Sequence, residues 1–249
     1  MALIITIPGY AQKFEVNELT EKNPSFPQQV YSFPILTGMN QKVVSDINSY
    51  LIKDQLRLDY GEEKNSIFEN IWQTETRLMP ATSDMSFKLE LLDSKLYSVT
   101  MLGEFCGAYC EQYSMTYNFD LETGEILDLQ SLFTQKGQKK LAKQLSDQKR
   151  NIISDKLKEV QLILNSESVS DEDSEYYGNM NWIYKDCLEF GVELEYLNFI
   201  PKNQKLELSL GRCSNHANRS VDELGDFHFE IDLKKWKSSL SELGKRILL

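Results

Sequence analysis

At 249 residues, with 41% hydrophobic and 26% charged residues, the chain is long enough to bury a sizeable core, as one large domain or two smaller ones. Its formal net charge of −11 leaves no basic surplus to displace phosphate counterions. That argues against nucleic acid and anionic membrane as ligands and favours a basic partner. No stretch approaches the roughly 18 apolar residues of a membrane span.

In chain order, Leu3 to Ile7 make an apolar run that Pro8-Gly9 breaks, and Tyr10-Ala11-Gln12 resembles a cleavage region. The basic n-region and half of the apolar stretch are missing. A clipped signal segment over residues 1–11 is expected, with the mature chain starting near Gln12. Residues 12–38 are polar and carry Pro24, Pro27 and Pro34, which reads as an extended strand or arm. Met39, Val43, Val44, Ile47, Leu51 and Ile52 then recur on one helical face and predict a helix near 39–58. Residues 68–78, 85–93 and 95–102 read as strands.

Past Cys106 and Cys110, Tyr113, Met115, Tyr117, Phe119 and Leu121 alternate with polar residues, the pattern of a half-buried antiparallel strand. Gly124 suits a turn that needs a positive φ, and Asp128 can cap a short helix through Leu132. The longest helix is predicted over 136–164, with Leu141, Leu145, Ile152, Ile153, Leu157, Val160 and Leu164 as its buried stripe. Lys139, Lys140, Lys149 and Lys158 fall to a solvated face. Residues 165–181 read as an irregular loop in a strongly acidic stretch: Ser166 to Glu195 holds nine acidic residues and one lysine. Strands at 188–197, 205–212 and 226–233 and a terminal helix over 234–248 complete the order. The class is α+β, a mainly antiparallel sheet with packed helices. It forms a single unit over 12–249, or two subdomains near 25–112 and 113–249.

Catalytic chemistry finds little support. The two histidines are His228, inside an alternating strand, and His216, three residues after Cys213. A Cys213/His216 nucleophile pair, with Asn215 or Asn218 as its orienting group, would make a hydrolase, but Cys213 has a better explanation. No phosphate-binding, dinucleotide-binding or zinc-protease motif is present. Cys106, Cys110, Cys213 and His216 match structural zinc spacing weakly, and Asp171-Glu172-Asp173 lacks the register of a calcium loop. Neither a cofactor nor a bound metal is called for. The four cysteines, at 106, 110, 187 and 213, instead form an even set suited to an oxidising compartment. The strands 188–197 and 205–212 predict a hairpin centred near residue 200. Cys187 and Cys213 lie symmetrically about that centre, so they should pair across its open end. Cys106 and Cys110 are left to staple the bend before Tyr113.

Thr116 to Phe133, "TYNFDLETGEILDLQSLF", resembles a family of bacterial extracytoplasmic domains found in lysozyme-sensing anti-sigma factors and in the N-terminal region of some peptidoglycan deacetylases. Residues 33–51, 188–201 and 226–240 support the resemblance. Where family members often carry Gly-Gly-Ala-His before the hairpin, this chain has Cys106-Gly107-Ala108-Tyr109, so a role for that histidine does not transfer to Tyr109. The resemblance implies an exported, non-catalytic binding protein, periplasmic or secreted. It would act as an inhibitor or immunity protein whose basic protein partner is a lysozyme-like or other cell-wall hydrolase. The other class considered is a cell-envelope carbohydrate-binding module using Tyr109, Tyr176, Tyr177 and Trp182 as stacking surfaces. Tyr109, Asp171, Glu172, Asp173, Glu175, Tyr176 and Tyr177, on two irregular loops, are the expected partner-binding residues.

Overall fold

The computed structural model describes residues 14–76 and 79–249; the expected signal segment over 1–11 lies outside them. The chain divides into two compact units, the first running to Leu127 and the second spanning Asp128–Leu249. A boundary near residue 112 would cut a hairpin whose strands pair residue by residue from Leu96↔Asp120 to Cys106↔Cys110.

In the first unit the proline-bearing arm folds back on itself, because β1 (Phe14–Lys22) and β2 (Val30–Gly38) pair along their whole length as an antiparallel hairpin. Helix α1 (Gln41–Leu56) begins where the Asn40 side chain accepts the Val43 N–H. It buries Val43, Ile47, Leu51, Ile52 and Leu56 in one core with Tyr97, Val99, Tyr117 and Phe119 of the sheet. Next come β3 (Ala81–Leu92), β4 (Leu96–Cys106) and β5 (Cys110–Asp120), giving a five-stranded sheet in the order β1-β2-β3-β4-β5. The strands are antiparallel except that β2 meets β3 in parallel, at Tyr31↔Met85. A parallel neighbour needs a crossover, and α1 lies in it. Residues 67–71 form turns instead of the strand expected from 68, and Trp72 makes only an isolated bridge to Thr82. Their apolar members, Ile67, Phe68, Ile71 and Trp72, repeat at three- to four-residue spacing and all enter the core. Gly124 takes φ 82° in the turn after β5, as expected.

The second unit holds α2 (Gln135–Leu164), α3 (Asp171–Leu188) and a three-stranded antiparallel sheet of β6 (Asn198–Lys202), β7 (Lys205–Leu210) and β8 (Phe227–Asp232), followed by α4 (Leu233–Trp236) and α5 (Glu242–Leu248). Helices and mainly antiparallel sheet make the chain α+β. Four expectations need correction. The acidic stretch from Asp171 is the start of α3, not a loop, and residues 188–197 end that helix and lead to β6 without forming a strand. The single terminal helix is broken, because Ser239 gives its carbonyl to Thr134 and Ser241 caps a new helix through Gly244. Lys149 is buried at 7% exposure, on the stripe of Leu141, Leu145 and Ile153, instead of facing solvent. Its ammonium donates to the carbonyls of Cys187 and Phe190, both at 3.2 Å, and so serves the C-terminal end of α3, where carbonyls lack helical partners. Burial holds the Lys149 pKa below the usual lysine value. No helix among the described residues is long and apolar enough to cross a membrane.

Candidate functional site

Both expected disulfides are formed, Cys106–Cys110 and Cys187–Cys213. The second arises for a different reason than hairpin symmetry. The β6–β7 hairpin pairs Lys202 with Lys205 and Asn198 with Ser209, so its centre lies beyond residue 200. Cys187 belongs to the last turn of α3, and the bridge ties that helix to the segment after β7. The consequences for chemistry are direct. Cys213 has no thiolate to act as a nucleophile, which removes the Cys213/His216 pair. Glu104, Cys106 and Cys110 bring their donor atoms within 4.8 Å of one another, but a disulfide offers no thiolate to a metal. Two structural disulfides fit a protein that matures in an oxidising compartment.

The expected partner-binding residues fall on both units. Tyr109 stands 56% exposed in the three-residue turn that Cys106–Cys110 closes, and Phe105 beside it is 37% exposed. In the second unit, Asp171, Glu172, Asp173 and Glu175 are all exposed on the first two turns of α3. The Ser170 hydroxyl accepts the Asp173 N–H at 3.0 Å and donates to its carboxylate at 2.7 Å. This is a reciprocal cap, and carboxylates in the first turn suit the positive end of the helix dipole. The acidic cluster is therefore fixed in space, where a loop would let it drift.

The tyrosines divide. Tyr176 turns to the segment after β7, its hydroxyl 3.3 Å from Glu223 Oε1. Burial, and then the Glu223 charge, raise its pKa. Tyr177 lines a shallow groove with Leu162, Val169 and Asp173. The two rings meet edge to face at 88°, so they offer no shared flat platform. Trp182 is 63% exposed farther along α3.

The first unit holds a feature that the residue pattern did not reveal, a cleft of about 200 Å³ beside the C-terminal end of α1. It opens where the helix stops and the β4–β5 hairpin continues, so this stretch of the sheet face is left to Phe105, Tyr113 and Met115. Gly103 makes the space for Tyr113: a Cβ there would lie 2.6 Å from the phenol oxygen and 2.8 Å from the Asp84 carbonyl. Burial, aided by Asp84, pushes the Tyr113 pKa up to about 12. At the helix end, the Tyr117 hydroxyl donates to Asp54 Oδ2 and accepts from Gln55. Burial and the hydrogen bond to Asp54 raise the Tyr117 pKa. Long-range pairing assembles this cleft, and no local motif marks it.

The fold is shared with solved proteins. A member of the DUF3298 family from Bacteroides fragilis matches with a TM-score of 0.53 at 14% identity, over 94% of this chain and 97% of that one. A DUF3298 family protein from Pseudomonas aeruginosa PAO1 matches with a TM-score of 0.50 at 9% identity, over 93% and 95% of the two chains. At these identities the likeness concerns the fold alone. The sequence matches no protein-family model and no curated protein.

Proposed function

We propose that the chain is an exported, non-catalytic binding protein of the bacterial periplasm or extracellular space. Its partner would be a basic protein, a lysozyme-like or other peptidoglycan-cleaving enzyme, held as an inhibitor or immunity protein holds its target. The observation that carries this is the fixed acidic face of α3: four exposed carboxylates in its first two turns, on a chain of net charge −11. Charges of one sign on a rigid element steer an oppositely charged partner and raise its association rate. The two disulfides agree with export, and the resemblance of residues 116–133 to lysozyme-sensing domains supports the partner class.

The test is association with a basic lysozyme by surface plasmon resonance at low and high salt, alongside inhibition of cell-wall lysis. Replacing Asp171, Glu172, Asp173 and Glu175 together by Asn or Gln should lower the low-salt on-rate by about tenfold and flatten the salt slope. Circular dichroism must accompany it, because the same carboxylates favour the helix start. Identical on-rates and salt slopes in the two proteins would remove α3 from the interface. Binding to insoluble peptidoglycan, with none to the enzyme, would transfer the function to carbohydrate recognition.

A further inference from the structure

The cleft of the first unit carries two opposite charges that do not pair with each other. Asp54 and Arg57 both line it, and at i,i+3 on a helix such residues ordinarily attract. Here Arg57 has left the helix. It takes the left-handed conformation at φ 55°, ψ 39°, while its N–H still bonds the Lys53 carbonyl at 3.1 Å. Glycine is the usual residue at such a helix end, and a larger residue there costs about 1 kcal/mol or more. The Asn70 side chain holds the strained residue by donating to its carbonyl at 2.9 Å. Among the described residues the Arg57 guanidinium enters no ion pair or hydrogen bond. Asp54 forms no ion pair among these residues either, and its partners there, Tyr117 and Gln55, both meet Oδ2.

The cleft is small and about half apolar in lining, with Ile71, Phe105 and Met115 among its walls. At about 200 Å³ it falls below the roughly 300–1,000 Å³ of drug-sized pockets. We infer that this cleft is a binding site for a small zwitterion, an apolar α-amino acid. The guanidinium would take its carboxylate, Asp54 Oδ1 its ammonium, and the thioether and ring its side chain. Arginine suits a planar carboxylate because its donors lie in a fork. A neutral sugar would leave both charges without counterparts. This site is separate from the acidic face of α3 and stands or falls independently of the partner proposed for it.

Two variants and a set of blocked ligands test the inference on the full chain. Methionine, leucine and phenylalanine would be titrated against the labelled protein by heteronuclear NMR. Saturable shifts confined to residues 54–57, 70–71, 105 and 113–115 are expected. Amidation of the ligand carboxylate, or acetylation of its amine, should weaken binding at least about tenfold, since each removes one charge-assisted contact. Arg57→Gly should weaken it as much while raising the melting temperature, because glycine adopts the left-handed conformation freely. Loss of binding in a more stable protein separates recognition from folding. Asp54→Asn keeps an acceptor for Tyr117 and should lose affinity for the free amine alone. The inference is overturned if no amino acid gives saturable shifts up to about 10 mM, an affinity too weak to count as recognition. It is equally overturned if the blocked ligands or glucose bind as well as the free amino acids.

Discussion

Asn48 shows how one polar side chain can settle the arrangement around it. It is 2% exposed in the middle of α1, where asparagine is a poor helix former. Its Oδ1 accepts the Leu36 N–H at 2.9 Å and its Nδ2 donates to the Leu36 carbonyl at 2.8 Å. The side chain thereby acts as one residue of a neighbouring strand. β2 meets β3 only at Tyr31↔Met85, and buried backbone groups need partners. Asn48→Leu should therefore cost about 2–6 kcal/mol, the sum of two orphaned buried groups, seen as a lower urea midpoint. Asn48→Asp offers a sharper check. Its carboxylate can still accept the N–H but faces the carbonyl as a second acceptor, so that variant should gain stability as pH falls and the carboxyl acquires a proton to donate. An Asn48→Leu protein as stable as the wild type would mean that water or another group serves Leu36.

Among the elements, those with one dominant apolar period were legible and those with mixed signals were not. α1 and α2 announce themselves through Val43, Ile47, Leu51 and through Leu141, Leu145, Ile153. β5 announces itself through the alternation of Tyr113 to Leu121. α3 hides behind its own first turn. Acidic residues, two serines, Gly178 and Asn179 read as a loop, although Met180, Ile183, Tyr184 and Cys187 repeat at three- and four-residue steps on its buried face. The overlooked signal was the spacing from Ser170 to Asp173, a cap just ahead of that run. Lys149 escaped because charge outweighed its place on a stripe, and only the carbonyls at the end of α3 explain its burial. The candidate surfaces were legible in part: the acidic residues and the staple could be named, but the cleft depends on pairing between distant strands. The disulfides differ in kind accordingly. Cys187–Cys213 closes a 26-residue separation and joins a helix to a loop, while Cys106–Cys110 spans four residues in one turn. Chain entropy puts their contributions at about 3.5 and about 2 kcal/mol. Removing the first pair by double serine substitution should therefore lower the melting temperature more than removing the second. The reverse order would mean that α3 is held mainly by its apolar face.

For the molecule as a whole, phenols set the alkaline limit of stability. Burial pushes Tyr31 and Tyr113 up to about 12, and burial likewise raises Tyr97, Tyr117 and Tyr184 above the ordinary phenol value. Hydrogen bonds and charge add to this at some of them: Tyr117 meets Asp54 and Tyr184 meets Asp222. An unfolded chain would release these protons near pH 10. Stability from these groups is therefore complete below about pH 10 and falls as pH rises towards about 12, because the unfolded state sheds protons that the native state keeps. Lys149 acts in the opposite direction. Its pKa is lowered by burial, so the native state gives up that proton before the unfolded chain does and gains stability over the same alkaline approach. Five phenols against one ammonium decide the sign. Urea midpoints should hold steady from neutral pH to about pH 10 and then drop steeply. Phenolate absorbance of the native protein should lag behind that of the unfolded chain and rise abruptly when the fold is lost. A smooth phenolate titration near pH 10 in the folded protein, with no change in urea midpoint, would show that water reaches these rings and that burial does not govern their ionisation.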